Sequence, residues 1–172
     1  MIKTERLSIR RVCAEDWKAI QAIWVEVSKT MYAQYDTPKD VSDASVKPRI
    51  EKWASFACST EHIFFAVCFD ELVIGYVSLN EREYGYELGY CFHPDFHGKG
   101  YARESISNIL EYMKTQGGDC IRARTALKNH PSVHLLLKLG FCLVGTEKVS
   151  FYQDAMGQDI VFDGGIYEIG QI

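Results

Sequence analysis

Apolar positions change their spacing several times along the chain, and each change marks an element. Leu7 and Ile9, and less cleanly Val12, alternate with polar residues through RLSIRRV, which predicts a first strand. In AEDWKAIQAIWVEV the step lengthens to three and four. Trp17, Ile20, Ile23, Trp24 and Val27 then share one helical stripe, and Glu15 and Asp16 suit the positive end of a helix. Residues 30–43 lose any period and read as a loop. Val46, Ile50, Trp53 and Phe56 resume helical spacing as far as about Cys58. Pro48 is expected just inside the start of this helix, because a proline further in removes a backbone donor.

HIFFAVCF and LVIGYVSLN are apolar runs separated by Asp70 and Glu71, the signature of a hairpin, and YGYELGYCF supplies a third strand that Pro94 helps to end. YARESISNILEYMKTQ places Ile106, Ile109, Leu110 and Met113 on one helical face and stops at Gly117 and Gly118. CIRARTAL alternates as a strand. PSVHLLLKLG reads as a short helix opened by Pro131 and closed by Gly140, and FCLVGTEKVSFY and IVFDGGIYEI flank the turn QDAMGQD. The predicted order is β-α-α-β-β-β-α-β-α-β-β: an α/β (α+β) chain with about seven strands and about four helices. No repeat, low-complexity run or Pro/Gly/Ser linker interrupts residues 1–172, so a single domain is expected.

Composition narrows the class of partner. A net charge of −4 without a Lys/Arg run argues against nucleic acid. The chain has neither an apolar leader nor an apolar run near the roughly 18 residues of a membrane helix, so a cytoplasmic, unanchored protein is expected. Six scattered cysteines form no C-x-x-C pair or zinc-spaced cluster, and no metal is expected.

The chemistry-bearing stretch is GYCFHPDFHGKGYARESI. A strand, a turn containing Gly98 and Gly100, and an amphipathic helix form the arrangement in which successive backbone N–H groups converge on an anion at a helix N-terminus. Gly98 and Gly100 tolerate positive φ and lack the Cβ that would obstruct the ligand. The expected ligand is a phosphate or pyrophosphate. Neither the P-loop spacing nor the G-x-G-x-x-G dinucleotide fingerprint is present.

YELGYCFHPDFHGKGYARESI together with ALKNHPSVHLLLKLGF resembles the GCN5-related N-acetyltransferases, and most closely the branch containing the ribosomal-protein N-terminal acetyltransferases. The resemblance implies an acyl-CoA N-acyltransferase fold with a mixed, mostly antiparallel sheet, and acetyl-CoA as co-substrate. It also implies direct attack by a primary amine. The family's pyrophosphate turn maps onto His97, Gly98, Lys99, Gly100, Tyr101 and Ala102, with His97 in place of the usual Arg or Gln, and Lys99 and Arg103 add positive charge. Asn129 maps to the residue that holds the pantetheine arm, and Ser132 to the candidate acid of this branch. Leu136 stands where many members carry a tyrosine. Backbone N–H groups of Tyr90, Cys91 and Phe92 are expected to meet the oxyanion. Glu87, three residues before Tyr90, is the candidate base. The acceptor is expected to be a protein N-terminus or a small-molecule amine, met by residues 30–43 and by the tail from Tyr152 onward, with Tyr32, Tyr35, Tyr84 and Tyr152 as lining. A non-catalytic acyl-CoA-binding module is the alternative of another class, and a homodimer is common in the family.

Overall fold

The computed structural model describes residues 1–118 and 120–170. One eight-stranded sheet runs in the order β1-β2-β3-β4-β5-β6-β8-β7. Its strands are β1 (Ile2–Lys3), β2 (Leu7–Arg11), β3 (His62–Phe69), β4 (Leu72–Arg82), β5 (Gly85–Phe92), β6 (Cys120–Ala126), β7 (Cys142–Gln153) and β8 (Asp159–Gly170). Every neighbouring pair is antiparallel except β5 and β6. The two-residue β1, too short to show alternation, is the strand the sequence pattern lacks.

The four helices are α1 (Trp17–Ser28), α2 (Asp43–Ser55), α3 (Tyr101–Thr115) and α4 (His130–Lys138). They divide between the two faces of the sheet, and the alternation of strand side chains explains how. Ile63, Phe65 and Val67 of β3 point to one face. There Ile106, Ile109, Leu110 and Met113 of α3 and Leu136 of α4 complete the core. Phe64, Ala66 and Cys68 point to the other, against Ile20, Ile23 and Trp24 of α1 and Val46 and Ile50 of α2. Because β3 is buried on both faces, its sequence is a continuous apolar run rather than an alternating one.

Two helix boundaries differ from the pattern. Ala14–Asp16 form a separate 3-10 turn before α1. Helix α2 starts at Asp43, which puts Pro48 inside it. The proline cannot donate to the carbonyl four residues back, so the helix lacks one bond there. The full burial of Val46 and Ile50, on either side of Pro48, holds the segment helical regardless. The hairpin between β3 and β4 has the expected two-residue connection, with Asp70 left-handed at φ 52°. No helix among the described residues is long and apolar enough to cross a membrane.

A partly buried ion pair ties β2 to the 3-10 turn that leads into α1. Arg10 Nη1 and Nη2 donate to the two carboxylate oxygens of Asp16 at 2.7 Å each, and the Cys13 backbone N–H adds a third bond at 2.9 Å. Burial alone would raise the pKa of Asp16, but these three donors outweigh it and hold the carboxyl below its ordinary value. A depressed carboxylate pKa contributes stability above the unfolded-state value, and that contribution is lost as pH falls through the folded-state value. Asp16→Asn should therefore lower the unfolding free energy by roughly 2–3 kcal/mol at pH 7. Urea denaturation should show the difference from the native chain narrowing progressively below about pH 5.

Candidate active site

The site begins where the sheet comes apart. β5 pairs with β4 along its whole length, from Arg82↔Gly85 to Gly75↔Phe92. With β6 it pairs at only three positions, Tyr86↔Ile121, Glu87↔Arg122 and Leu88↔Ala123. Past Leu88 the two strands separate, so Tyr90, Cys91 and Phe92 lie on the open section. Alternation gives this section two different sides. Leu88, Tyr90 and Phe92 face the α3/α4 core, whereas Cys91, and by parity Glu87, face the α1/α2 side.

Beyond the open section the chain makes a 3-10 turn (Pro94–Phe96), in which the His93 side chain accepts from the Asp95 N–H, and then enters the glycine turn. Gly98 and Gly100 sit at φ 72° and 84°. A Cβ on Gly98 would meet nothing within 4 Å. That residue is thus held to glycine by its backbone angle and leaves open space over the turn. Gly100 is the N-cap of α3 and offers no side-chain cap. Among the described residues, no acceptor meets the backbone N–H of Gly98, Lys99, Gly100, Tyr101, Ala102 or Arg103. Six consecutive free donors at the N-terminus of a fifteen-residue helix make a strong anion cradle.

Two side chains set the shape of that cradle. His97 Nε2 lies 2.8 Å from the Phe92 carbonyl oxygen, which makes Nε2 the protonated ring nitrogen and fastens the turn to the end of β5. Arg6 acts from the other end of the sequence. Its Nη1 donates to the Lys99 carbonyl at 3.0 Å, and Nε donates to Glu104 Oε2 at 2.7 Å. Thr4 Oγ1 and the Arg6 backbone N–H both donate to Glu104 Oε1, at 2.5 and 3.0 Å. Burial would raise the pKa of Glu104; the donors from Thr4 and Arg6 bring it below its ordinary value. With the Lys99 carbonyl held by Arg6, the trans peptide turns the Gly100 N–H the opposite way.

Helix α4 borders the gap on the α3/α4 side. Asn129 is its N-cap but makes no side-chain capping bond, so its amide is free for another partner. Ser132, in the first turn, lies with Oγ 2.6 Å from the Tyr90 hydroxyl. Leu136 is fully buried in the core and supplies no proton-donating group there. Desolvation pushes the Tyr90 phenol up to about 12, against a smaller opposing effect from Ser132.

The other side of the gap is charged. Glu87 is bound by two guanidinium groups: Arg82 Nε donates to Oε2 at 2.9 Å and Arg124 Nη1 to Oε1 at 2.6 Å. Arg124 also pairs with Glu147 at 3.2 Å, and Arg122 with Glu168 at 2.6 Å beneath the ring of Tyr84. The 30–43 segment, with a 3-10 turn at Ala33–Tyr35, meets the β7–β8 hairpin. There Tyr152 donates to the Ala33 carbonyl at 3.2 Å, and Tyr35 packs edge-on against Phe162. Burial pushes the Cys91 thiol up to about 12, so it is no nucleophile near neutral pH.

A family profile described as the acetyltransferase (GNAT) domain matches residues 6–142. The chain belongs to the GNAT acetyltransferase family. Membership makes it an acetyl-CoA-dependent N-acetyltransferase. Among its relatives is the uncharacterised N-acetyltransferase YnaD of Bacillus subtilis, 28% identical over 81% of each chain. YoaA of the same organism is 26% identical over 98% of this chain and 96% of its own length. Among solved structures, a ribosomal-protein-S5-alanine acetyltransferase from Vibrio fischeri superposes with a TM-score of 0.82 at 19% identity, over 99% of this chain and 96% of that one. The microcin C7 self-immunity acetyltransferase MccE, solved with acetyl-CoA and AMP, superposes with a TM-score of 0.77 at 16% identity, over 97% and 93%.

Two parts of this GNAT site escape sequence reading. Arg6 lies 93 residues from the carbonyl it holds, and no local period marks it. Tyr90 enters the sequence reading through its backbone, whereas the structure adds its phenol. Removing the Arg6 brace should loosen the cradle without touching the reacting atoms. Arg6→Ala is therefore expected to raise the KM for acetyl-CoA about fivefold to tenfold, the equivalent of about one ordinary hydrogen bond. Its kcat should stay within about twofold, which steady-state kinetics would separate.

Proposed function

We propose that this acetyltransferase acts on the α-amino group of a peptide or protein, with the amine approaching from the α1/α2 side of the gap. The run of six free N–H donors following the open half of β5 is the observation that carries the site. It supports holding the pyrophosphate of acetyl-CoA at residues 98–103, with Asn129 bonding the pantetheine arm. The thioester is then directed into the gap beside Tyr90, Cys91 and Phe92, whose backbone N–H groups receive the developing oxyanion.

The state of Glu87 favours an α-amine. Both carboxylate oxygens of Glu87 are already engaged, one by Arg82 and one by Arg124. An acceptor that must first surrender a tightly held proton is poorly served there. A peptide α-amine, with a pKa near ~8, is substantially neutral close to pH 7.5, whereas a lysine amine near ~10.4 is almost wholly protonated. Once the neutral nitrogen has bonded to the acetyl carbon it carries a positive charge, and the one of its two protons that must leave is far more acidic. Glu87 then suffices to take it through a water molecule. The charged groups around Glu87, namely Arg82, Arg124 and Glu147, lie on the side from which the peptide would approach.

Thiol release from acetyl-CoA tests this reading. At pH 7.5, peptides with free N-termini should exceed N-blocked, lysine-containing peptides by about a hundredfold in kcat/KM, following the difference in neutral amine. Turnover confined to small polyamines, or absent across peptides of varied first residue, overturns it. Glu87→Gln should lower kcat about tenfold to a hundredfold. An unaltered kcat removes Glu87 from the mechanism.

A further inference from the structure

The Tyr90–Ser132 contact joins two elements across the gap, and neither hydroxyl has another partner among the described residues. That is unusual for a helix hydroxyl in this protein. Ser28, Ser55, Ser105, Ser107 and Thr115 all donate back to carbonyls of their own helices. Ser132 instead meets a phenol that rises from the opened strand, one residue beyond Gly89 and two beyond the last β5–β6 pair. Three residues upstream, the free amide of Asn129 borders the same opening. The pair thus sits on the side opposite Glu87, where the sulfur of a thioester entering from the α3/α4 side would lie.

We infer that Tyr90 is a positioning residue for thiolate departure: its O–H donates to Ser132 Oγ, and this leaves the serine O–H as the donor aimed at the sulfur. The inference rests on the acetyl-CoA site proposed above. With its hydroxyl desolvated, the phenol keeps its proton throughout the working range and is a fixed donor. It is not a proton source, since a phenol harder to ionise than the departing thiol, near ~8.5, has no drive to protonate the thiolate. In the reaction the amine nitrogen bonds to the acetyl carbon, the C–S bond breaks and its electron pair goes to sulfur. The nitrogen loses its proton on the Glu87 side. Ser132 stabilises the sulfur by a hydrogen bond and keeps its own proton, so the immediate products are the amide, the CoA thiolate and one proton.

The test is a double-mutant cycle on the full chain with acetyl-CoA and a peptide acceptor. Tyr90→Phe and Ser132→Ala are each expected to lower kcat about tenfold, with the acetyl-CoA KM within about threefold, because the lost bond acts only as the thiolate forms. The double variant should lose no more than Ser132→Ala alone. With an acetyl thioester of an aromatic thiol, a better leaving group, the loss in Tyr90→Phe should shrink to about twofold. A fully additive double variant, an unchanged Tyr90→Phe, or equal losses with both thioesters overturns the inference. Should Tyr90→Phe not fold, fluorotyrosine at position 90 keeps the shape and changes the phenol acidity. Its kcat effect should be present with Ser132 and absent in Ser132→Ala; the same effect in both backgrounds overturns the inference. Failure of the unsubstituted chain to release thiol would instead defeat the acetyl-transfer reading.

Discussion

The early end of the β5–β6 ladder is the constraint on which the rest of this structure depends. A sheet is held by its backbone pairing, and a strand that gives up a neighbour midway exposes polar groups that must find other partners. Here β5 keeps β4 throughout and gives up β6 after Leu88. Everything that follows in the chain serves that opening: the turn anchored by His97 to the Phe92 carbonyl, the uncapped start of α3, and the first turn of α4 laid across from Tyr90. The cost is met by the core on both faces of the sheet, to which the open section itself contributes Phe92 on one face and Cys91 on the other.

The elements were legible where burial repeats locally. The stripe on α3, the doubly buried β3 and the two-residue hairpin after it all follow from spacing between near neighbours. Pro48 shows the limit of such rules. Local chemistry places a proline at the start of a helix, yet the anchoring of Val46 and Ile50 against α1 carries α2 five residues further upstream. The two-residue β1 offers no period to read. It exists because its register with Ile9 and Ser8 on β2 is available.

The cradle was legible for a different reason: its donors come from six consecutive residues, and Gly98 and Gly100 mark the backbone angles that expose them. What completes it was not. Arg6 and Thr4 reach Glu104 across about a hundred positions, and Tyr90 meets Ser132 across 42. Such contacts have no sequence signature because any strand-facing tyrosine or early arginine would look the same. His97 is intermediate. Its substitution for Arg or Gln is visible in the sequence, but only the coordinates show its ring turned onto the strand end. The cradle therefore depends on backbone donors more than on the side chain at that position.

The two sides of the gap divide the chemistry according to what each can tolerate. Acyl transfer from a thioester produces a proton at nitrogen and a negative charge at sulfur, and the two must not be met by the same group. On the α1/α2 side, around Glu87, charges are cheap because they are partly hydrated and paired, as Glu87 is with Arg82 and Arg124. On the α3/α4 side the surroundings are apolar. An ionised acid would be costly there, and neutral hydroxyl donors are what the environment permits. The alternation of β5 makes this separation unavoidable, since residues three apart on a strand face opposite ways. Glu87 and Tyr90 are three apart, so one strand carries a carboxylate on the α1/α2 side and a phenol on the α3/α4 side, which is the division the proposed mechanism requires. A shift of one residue in the register of β5 would exchange them and place each in the environment least suited to it.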